Sequence, residues 1–514
     1  MKLNKMFLGG LVALGLLASC KGKEPSGQTE TLGSTYMSIN VNLGESLRAE
    51  EGDYNSMGDW EGRDKINAVD VFVLSEGENK VQHFTQATAK TQPTIGQDGV
   101  YSLTPWKTTP GNKIVYVVVN GTEEVINKLK AATPTNFATE YAMVLTDFAG
   151  NGVAEKYAKT ETFGSDKKDI ITMTGAPASI AVVDGVTQEQ AKNGQNTAKI
   201  SVRRIAALVA TTVNKSVQEE GFKIKKGEGA SQRVVGSLKD VKWTVAQFEK
   251  TAKLYEAEIS HKKIKSPNWE YVTSDNNAYN NGTDGAKDKY DYSLLKQGFD
   301  LAPFERKSNN NPENVKALVD GATMKFISET THAFTESQTD ETKYRRGNTP
   351  YIMVTATFVP ETSEMATGEV YQAEKDIHYG TVDGKFYMDE NKAKENNKIA
   401  ADSATKKDGV ITFKKGKMYY FAWLNPDTTA PTTWRHSPVV RNNFYHVNVA
   451  GFNKLGFSGN PYNPTTPPGG GGEDEPDPDD PTPDPKDPIT DKETYMTTEI
   501  TVINWGVHSY DVNF

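Results

Sequence analysis

Apolar and polar side chains alternate over residues 37–43. Met37, Ile39, Val41 and Leu43 are apolar, with Ser38, Asn40 and Asn42 between them. A period of two over this length predicts a half-buried β-strand. Ile66, Val69, Val71 and Val73 recur in the same way around Asp70 and Phe72. Residues 114–119 (IVYVVV) form a more continuous run, as a strand covered on both faces would. Further strands are expected at 170–175 (IITMTG), 198–213, 241–245 (VKWTV), 351–359 (YIMVTATFV), 418–423 (MYYFAW) and 443–449 (NFYHVNV). Residues 122–132 and 134–148 read as short helices, with Thr122 and Thr133 as their caps. The balance is mainly β with a few short helices, which favours β-sandwiches over any α/β arrangement.

The interruptions of this pattern suggest the organisation. Residues 21–35 are a polar leader. The stretch 45–55 is a polar loop containing Arg48-Ala49, and a basic residue in an exposed loop is a ready site for proteolysis. Arg63 is a second basic residue nearby. Residues 185–197 are polar and mark a candidate domain boundary, and 274–291 reads as a long Asn/Asp/Gly-rich surface loop. Residues 462–488 differ in kind: YNPTTPPGGGGEDEPDPDDPTPDPKDP has no core-forming content, and its prolines and repelling carboxylates suit an extended, solvated linker. Strand character then returns. Ile500 and Val502 face one way and Ile503 and Trp505 the other, followed by Val507, Tyr510, Val512 and Phe514.

The start of the chain adds an address. Lys2 and Lys5 precede an apolar run over 6–17, and Leu17-Ala18-Ser19-Cys20 closes it, the layout of a secretory signal with a lipidation site at Cys20. The run is shorter than the ~20 apolar residues a membrane span needs. Cys20 is also the only cysteine in 514 residues, so a chain beginning after it has no disulfide and no thiolate chemistry. The formal charge is −9; removing residues 1–48, with five basic and three acidic side chains, leaves −11. Such a balance excludes neither fold nor adhesion, but it disfavours nucleic acid as a partner.

Catalytic and metal-binding patterns are missing from the sequence. His83, His261, His332, His378, His436, His446 and His508 are scattered, with no HExxH spacing, no GxSxG elbow and no P-loop. Asp477, Asp479, Asp480 and Asp484 are potential calcium ligands, but interleaved prolines do not resemble a calcium loop. Trp243, Trp269, Trp423 and Trp434 fit a core better than a sugar-binding platform. The expectation is a non-enzyme without metal or cofactor.

Taken in order behind the signal, these segments resemble the fimbrillins of Bacteroidota, most closely the shaft subunits of minor fimbriae. The resemblance is carried by the Cys20 junction, the alternating strand before Arg48, IVYVVVN ending at Asn120, ITMTG (171–175), VRRIAALVATTV (202–213) and VVRNNFYHVNV (439–449). It implies two tandem transthyretin-like β-sandwiches, with a signal peptide at 1–19, a propeptide at 20–48, domains at 49–197 and 198–461, a linker at 462–488 and a donor segment at 489–514. The implied mechanism begins with an outer-membrane lipoprotein precursor cut by an arginine-specific protease between Arg48 and Ala49. Loss of the strand bearing Met37, Ile39, Val41 and Leu43 opens a groove. A neighbour's C-terminal strand, carrying Ile500, Val502, Ile503, Trp505, Val507, Tyr510, Val512 and Phe514, fills it. The implied partners are further copies of the chain joined head to tail, accessory anchor and tip subunits, the protease, and host or bacterial surface receptors, with the fimbrium on the cell surface supporting adhesion and biofilm formation. A monomeric glycan-binding surface lipoprotein and an accessory or tip subunit are the alternative readings.

Overall fold

The computed structural model describes residues 33–42, 63–87, 100–145, 156–227, 229–255, 290–308, 311–329, 346–347, 349–399, 409–424, 439, 441–463, 477 and 496–504. Nine strands of the first half share one sheet: β1 (Thr35–Asn42), β2 (Ala68–Ser75), β3 (Val81–Ala87), β4 (Val100–Ser102), β5 (Trp106–Thr108), β6 (Gly111–Val119), β7 (Met173–Gly175), β8 (Ala178–Val182) and β9 (Thr197–Arg204). The neighbour order is β3-β2-β6-β7-β9-β1-β4, with β8 on β6 and β5 on β1. The sheet folds over on itself. Phe84 of β3 and Trp106 of β5 lie near opposite ends of that path, yet their ring centroids are 4.9 Å apart. The continuous run of β6 is buried from Val115 to Val119, as its composition predicts.

The second half repeats the plan with β10 (Ala207–Asn214), β11 (Lys223–Lys226), β12 (Arg233–Ala246), β13 (Ala302–Phe304), β14 (Met324–Ile327), β15 (Tyr351–Pro360), β16 (Lys417–Trp423), β17 (Asn443–Phe452) and β18 (Met496–Asn504). Here the order is β13-β10-β17-β11-β12-β15-β16, with β14 on β10, β18 on β17 and the short strand Phe299–Asp300 on β12. Tyr420 of β16 packs edge-on against Phe452 of β17 at 4.9 Å, closing this layer across its own core. Trp243 and Trp423 are buried core residues. The architecture is mainly β, two sandwiches in tandem.

Both sandwiches close in the same way. In the first, β1 runs parallel to β9, from Ser38↔Thr197 to Asn42↔Ser201. In the second, β10 runs parallel to β17, from Leu208↔Phe444 to Val213↔Val449. The initial strand of each domain therefore lies beside the strand that ends its folded body. Their attachments differ: β10 follows β9 after only Ile205 and Ala206, whereas β1 is joined to its domain through residues 43–62.

The structure corrects three expectations about boundaries. Residues 198–213 are not one strand, and the domain change does not fall at 197/198; β9 belongs to the first sheet and β10 to the second. The switch at Ile205–Ala206 contains no Gly or Pro to announce it, and both residues are buried. The polar stretch 185–197 is not a boundary either. It contains a helix, Gln188–Lys192, started by a capping box between Thr187 and Gln190 and packed on β1. Thr122 caps the helix Glu123–Ala131 as expected. Thr133 does not cap the next, which begins at Phe137 after Asn136; its backbone N–H instead donates to Asn136 Oδ1.

Arg204, the last residue of β9, pins the two domains together. Its guanidinium makes a fork to Asp64, with Nε donating to Oδ1 at 2.9 Å and Nη2 to Oδ2, and Nη1 donates to Asn442 Oδ1 at 3.0 Å. Asn442, held at φ 64°, in turn donates its N–H to Ala206 O. The pair is buried, so removing one partner strands the other charge, which costs about 3–5 kcal/mol. Arg204→Ala should lower the Tm of the full-length chain by several degrees, and Arg204→Met combined with Asp64→Leu should recover most of it. An unchanged Tm for Arg204→Ala would show that the junction does not depend on this ion pair.

Candidate functional site

β1 sits between its parallel neighbour β9 and the antiparallel strands β4 and β5. Asn40 to Asn42 pair with Ser102 to Val100, and Thr35 to Met37 with Thr108 to Trp106. Three further main-chain bonds hold it: Tyr36 N–H to Val186 O at 3.0 Å, Ser38 N–H to Asn196 O at 3.1 Å and Leu103 N–H to Ile39 O at 2.9 Å. Met37, Ile39 and Val41 are fully buried. Each such side chain contributes about 1.5–3 kcal/mol through burial. The seat of β1 is thus an apolar groove with backbone partners on both sides, and the strand itself is its plug.

Polar residues build the other face. Ser38, expected on a solvated face, is 3% exposed. Its hydroxyl donates to Ala191 O at 3.0 Å and lies 2.8 Å from Thr197 Oγ1, because the capped helix Gln188–Lys192 covers it. Thr35 is equally enclosed. Its Oγ1 donates to Val183 O at 2.9 Å and accepts from Val186 N–H at 3.0 Å and from Asn196 Nδ2 at 3.3 Å. Period-two reading missed both hydroxyls, since only the folding of 183–197 back over β1 brings these carbonyl and amide groups to it.

At the other end of the chain, β18 pairs antiparallel with β17 of its own domain, from Asn443↔Asn504 to Phe452↔Met496. Of the proposed donor residues, Ile500, Val502 and Ile503 lie in this strand; Trp505, Val507, Tyr510, Val512 and Phe514 lie outside the described residues. So do Cys20, Leu43, Arg48 and Ala49. Arg63, the other basic residue in the region, is engaged: its guanidinium forks onto Asp169 at 3.1 Å for both bonds, and Lys65 N–H donates to Asp169 O. Asp477, from the acidic linker, accepts from Thr412 N–H at 2.9 Å and donates its own N–H to Ser458 Oγ at 2.8 Å. Among the described residues no group of three or more His, Cys, Asp or Glu side chains is arranged to hold a metal, and no helix is long and apolar enough to cross a membrane.

A family model described as "Major fimbrial subunit protein type IV, Fimbrillin, C-terminal" matches residues 411–511, spanning β16, β17, the linker and β18. Over 538 aligned positions the chain is 35% identical to the minor fimbrium subunit Mfa1 of Porphyromonas gingivalis, covering 100% of both chains. A second sequence of that name from the same organism matches equally. The chain belongs to the minor fimbrium subunits. Among solved structures, a fimbrilin (fimA) from Porphyromonas gingivalis overlaps with a TM-score of 0.41 at 13% identity, over 93% of this chain and 99% of that one. A putative cell adhesion protein from Parabacteroides distasonis gives 0.42 at 12%, over 93% and 100%.

In this fimbrial subunit the strand β17, which carries β18, contains a buried titratable group. His446 lies 2.7 Å from Thr212 Oγ1 and edge-on to Phe304. Burial, aided by the charge of Arg306, lowers its pKa from 6.5 to about 3. The folded state therefore binds this proton less readily than the unfolded chain. The stability from this site is complete above pH ~6.5 and is lost as the pH falls towards about 3. His446→Gln should flatten the acid limb of a Tm-against-pH profile within that window; an unaltered limb would assign the loss to other groups. On the groove side, Ile39→Ala should destabilise the full-length chain by about 2–5 kcal/mol. Denaturant unfolding of that chain tests this, and a change below ~0.5 kcal/mol, the usual range of surface substitutions, would mean that β1 is not part of the cooperative core.

Proposed function

We propose that this fimbrial subunit builds the fimbrial shaft by strand exchange, and that β1 is a removable plug. The observation that carries the reading is the seating of β1: fully inside the first sandwich, yet attached to it only through residues 43–62, where Arg48 and Ala49 lie. One cut after Arg48 turns a covalently held strand into a bound peptide. The second domain's equivalent strand, β10, has no such connection to sever. The chain would reach the outer membrane as a precursor lipidated at Cys20, lose lipid and β1 together at cleavage by an arginine-specific protease, and accept the C-terminal strand of another copy.

Physical chemistry supports each stage. A groove without its strand exposes main-chain N–H and C=O groups along an apolar stripe, and an added strand satisfies both. While β1 remains, no such edge is available for premature association. Donor and acceptor surfaces differ, so each contact is head-to-tail and generates an open filament. Accessory anchor and tip subunits would join through the same surfaces, and adhesion to host or bacterial receptors would follow from display on the fibre.

Arg48→Ala precursor treated with an arginine-specific protease should stay monomeric, whereas the wild-type chain should begin at Ala49 by N-terminal sequencing and form ladders or filaments. Filaments from uncleaved Arg48→Ala protein would overturn the plug.

A further inference from the structure

The polar contacts of β1 define what the groove requires of any strand that enters it. At the position of Thr35, an acceptor must meet the Val186 N–H and the Asn196 amide. Three residues on, at the position of Ser38, the side chain must be small and able to donate to Ala191 O beside Thr197 Oγ1. Between and beyond them, at Met37, Ile39 and Val41, it must be large and apolar. The first five positions of this requirement read Ser/Thr, any residue, large apolar, Ser/Thr, large apolar. In the whole 514-residue sequence this arrangement occurs twice: at 35–39 (TYMSI) and at 498–502 (TEITV). The second copy lies within β18, which the structure places against β17 of its own subunit, with Thr498 opposite Val449 and Val502 opposite Tyr445.

We propose that Thr498 and Thr501 set the register of strand exchange, taking the places of Thr35 and Ser38 in the next subunit, with Ile500 and Val502 in those of Met37 and Ile39 and Asn504, at the end of the strand, in that of Val41. This rests on the strand-exchange reading above and specifies which residues meet. β18 is then parked in its own sheet in the free subunit and leaves it for the neighbour's groove. The hydroxyls matter because a one-residue slip exchanges every inward and outward side chain. Such a slip would also leave the Val186 N–H buried without an acceptor. The last residues, Tyr510 to Phe514, also alternate. With Tyr510 at the position of Met37 they bring Asp511 to the site of Ser38, a buried carboxylate facing the Ala191 carbonyl, which is unfavourable; with Tyr510 at that of Ile39 they bring Ser509 there, the register that truncation after Asn504 tests.

The test is the subunit concentration at which cleaved, full-length chains polymerise. Thr498→Val with Thr501→Val should raise it by about tenfold or more, the scale set by unpaired buried polar groups, while Thr498→Ser with Thr501→Ser should remain near wild type. A synthetic peptide of residues 498–504 (TEITVIN) should block wild-type polymerisation, and its Val-substituted form should be at least about tenfold weaker; this arm does not depend on a variant's folding. Equal potency of the two peptides, or none from either, overturns the register. So does normal assembly of the Val pair when truncation after Pro488 blocks it, or a block by truncation after Asn504 as complete as that after Pro488. Polymerisation of the chain truncated after Pro488 would instead refute strand exchange by the C-terminal segment altogether.

Discussion

A β-sandwich whose initial strand lies between two others depends on that strand for its closure. In this protein β1 supplies backbone partners to β9 on one side and to β4 and β5 on the other, and it fills the core with Met37, Ile39 and Val41. Everything proposed for assembly follows from this one dependence. If the strand leaves, the sandwich exposes both its unpaired main chain and its apolar interior, and only another strand of suitable pattern restores them.

The tandem arrangement turns the same closure to two ends. In the second domain β10 lies parallel to β17 as β1 lies parallel to β9, but it follows directly from the first domain and is anchored by the Arg204–Asp64–Asn442 cluster. One sandwich holds its strand by a two-residue connection, and the other is joined to its strand through residues 43–62. β18 adds a third element, paired with β17 over nearly its whole length although it follows the acidic linker. By pairing there, β18 covers the edge that β17 would otherwise present.

Much of this was legible in the sequence. Alternation located β1 and β2, the continuous run located β6, and Thr122 marked a helix start. The reading failed where position in space, rather than local pattern, decides the environment. Residues 198–213 look like one strand because the alternating β9 runs into the continuously buried β10 without a break, and the turn between sheets uses Ile205 and Ala206 instead of turn residues. The polar segment 185–197 looked like a domain boundary because of its polarity, whereas its packing on β1 is a contact across some 150 residues of chain. Ser38 looked solvated for the same reason.

By itself the sequence determined the strand content, the single cysteine at Cys20 and the acidic composition of residues 462–488, since these depend on side-chain order and composition. Only the tertiary structure decided which strands are neighbours, where one sheet gives way to the next, and that Thr35 and Ser38 are buried hydrogen-bonding groups. Pairing and enclosure are set by segments far apart in the chain, and no local period records them.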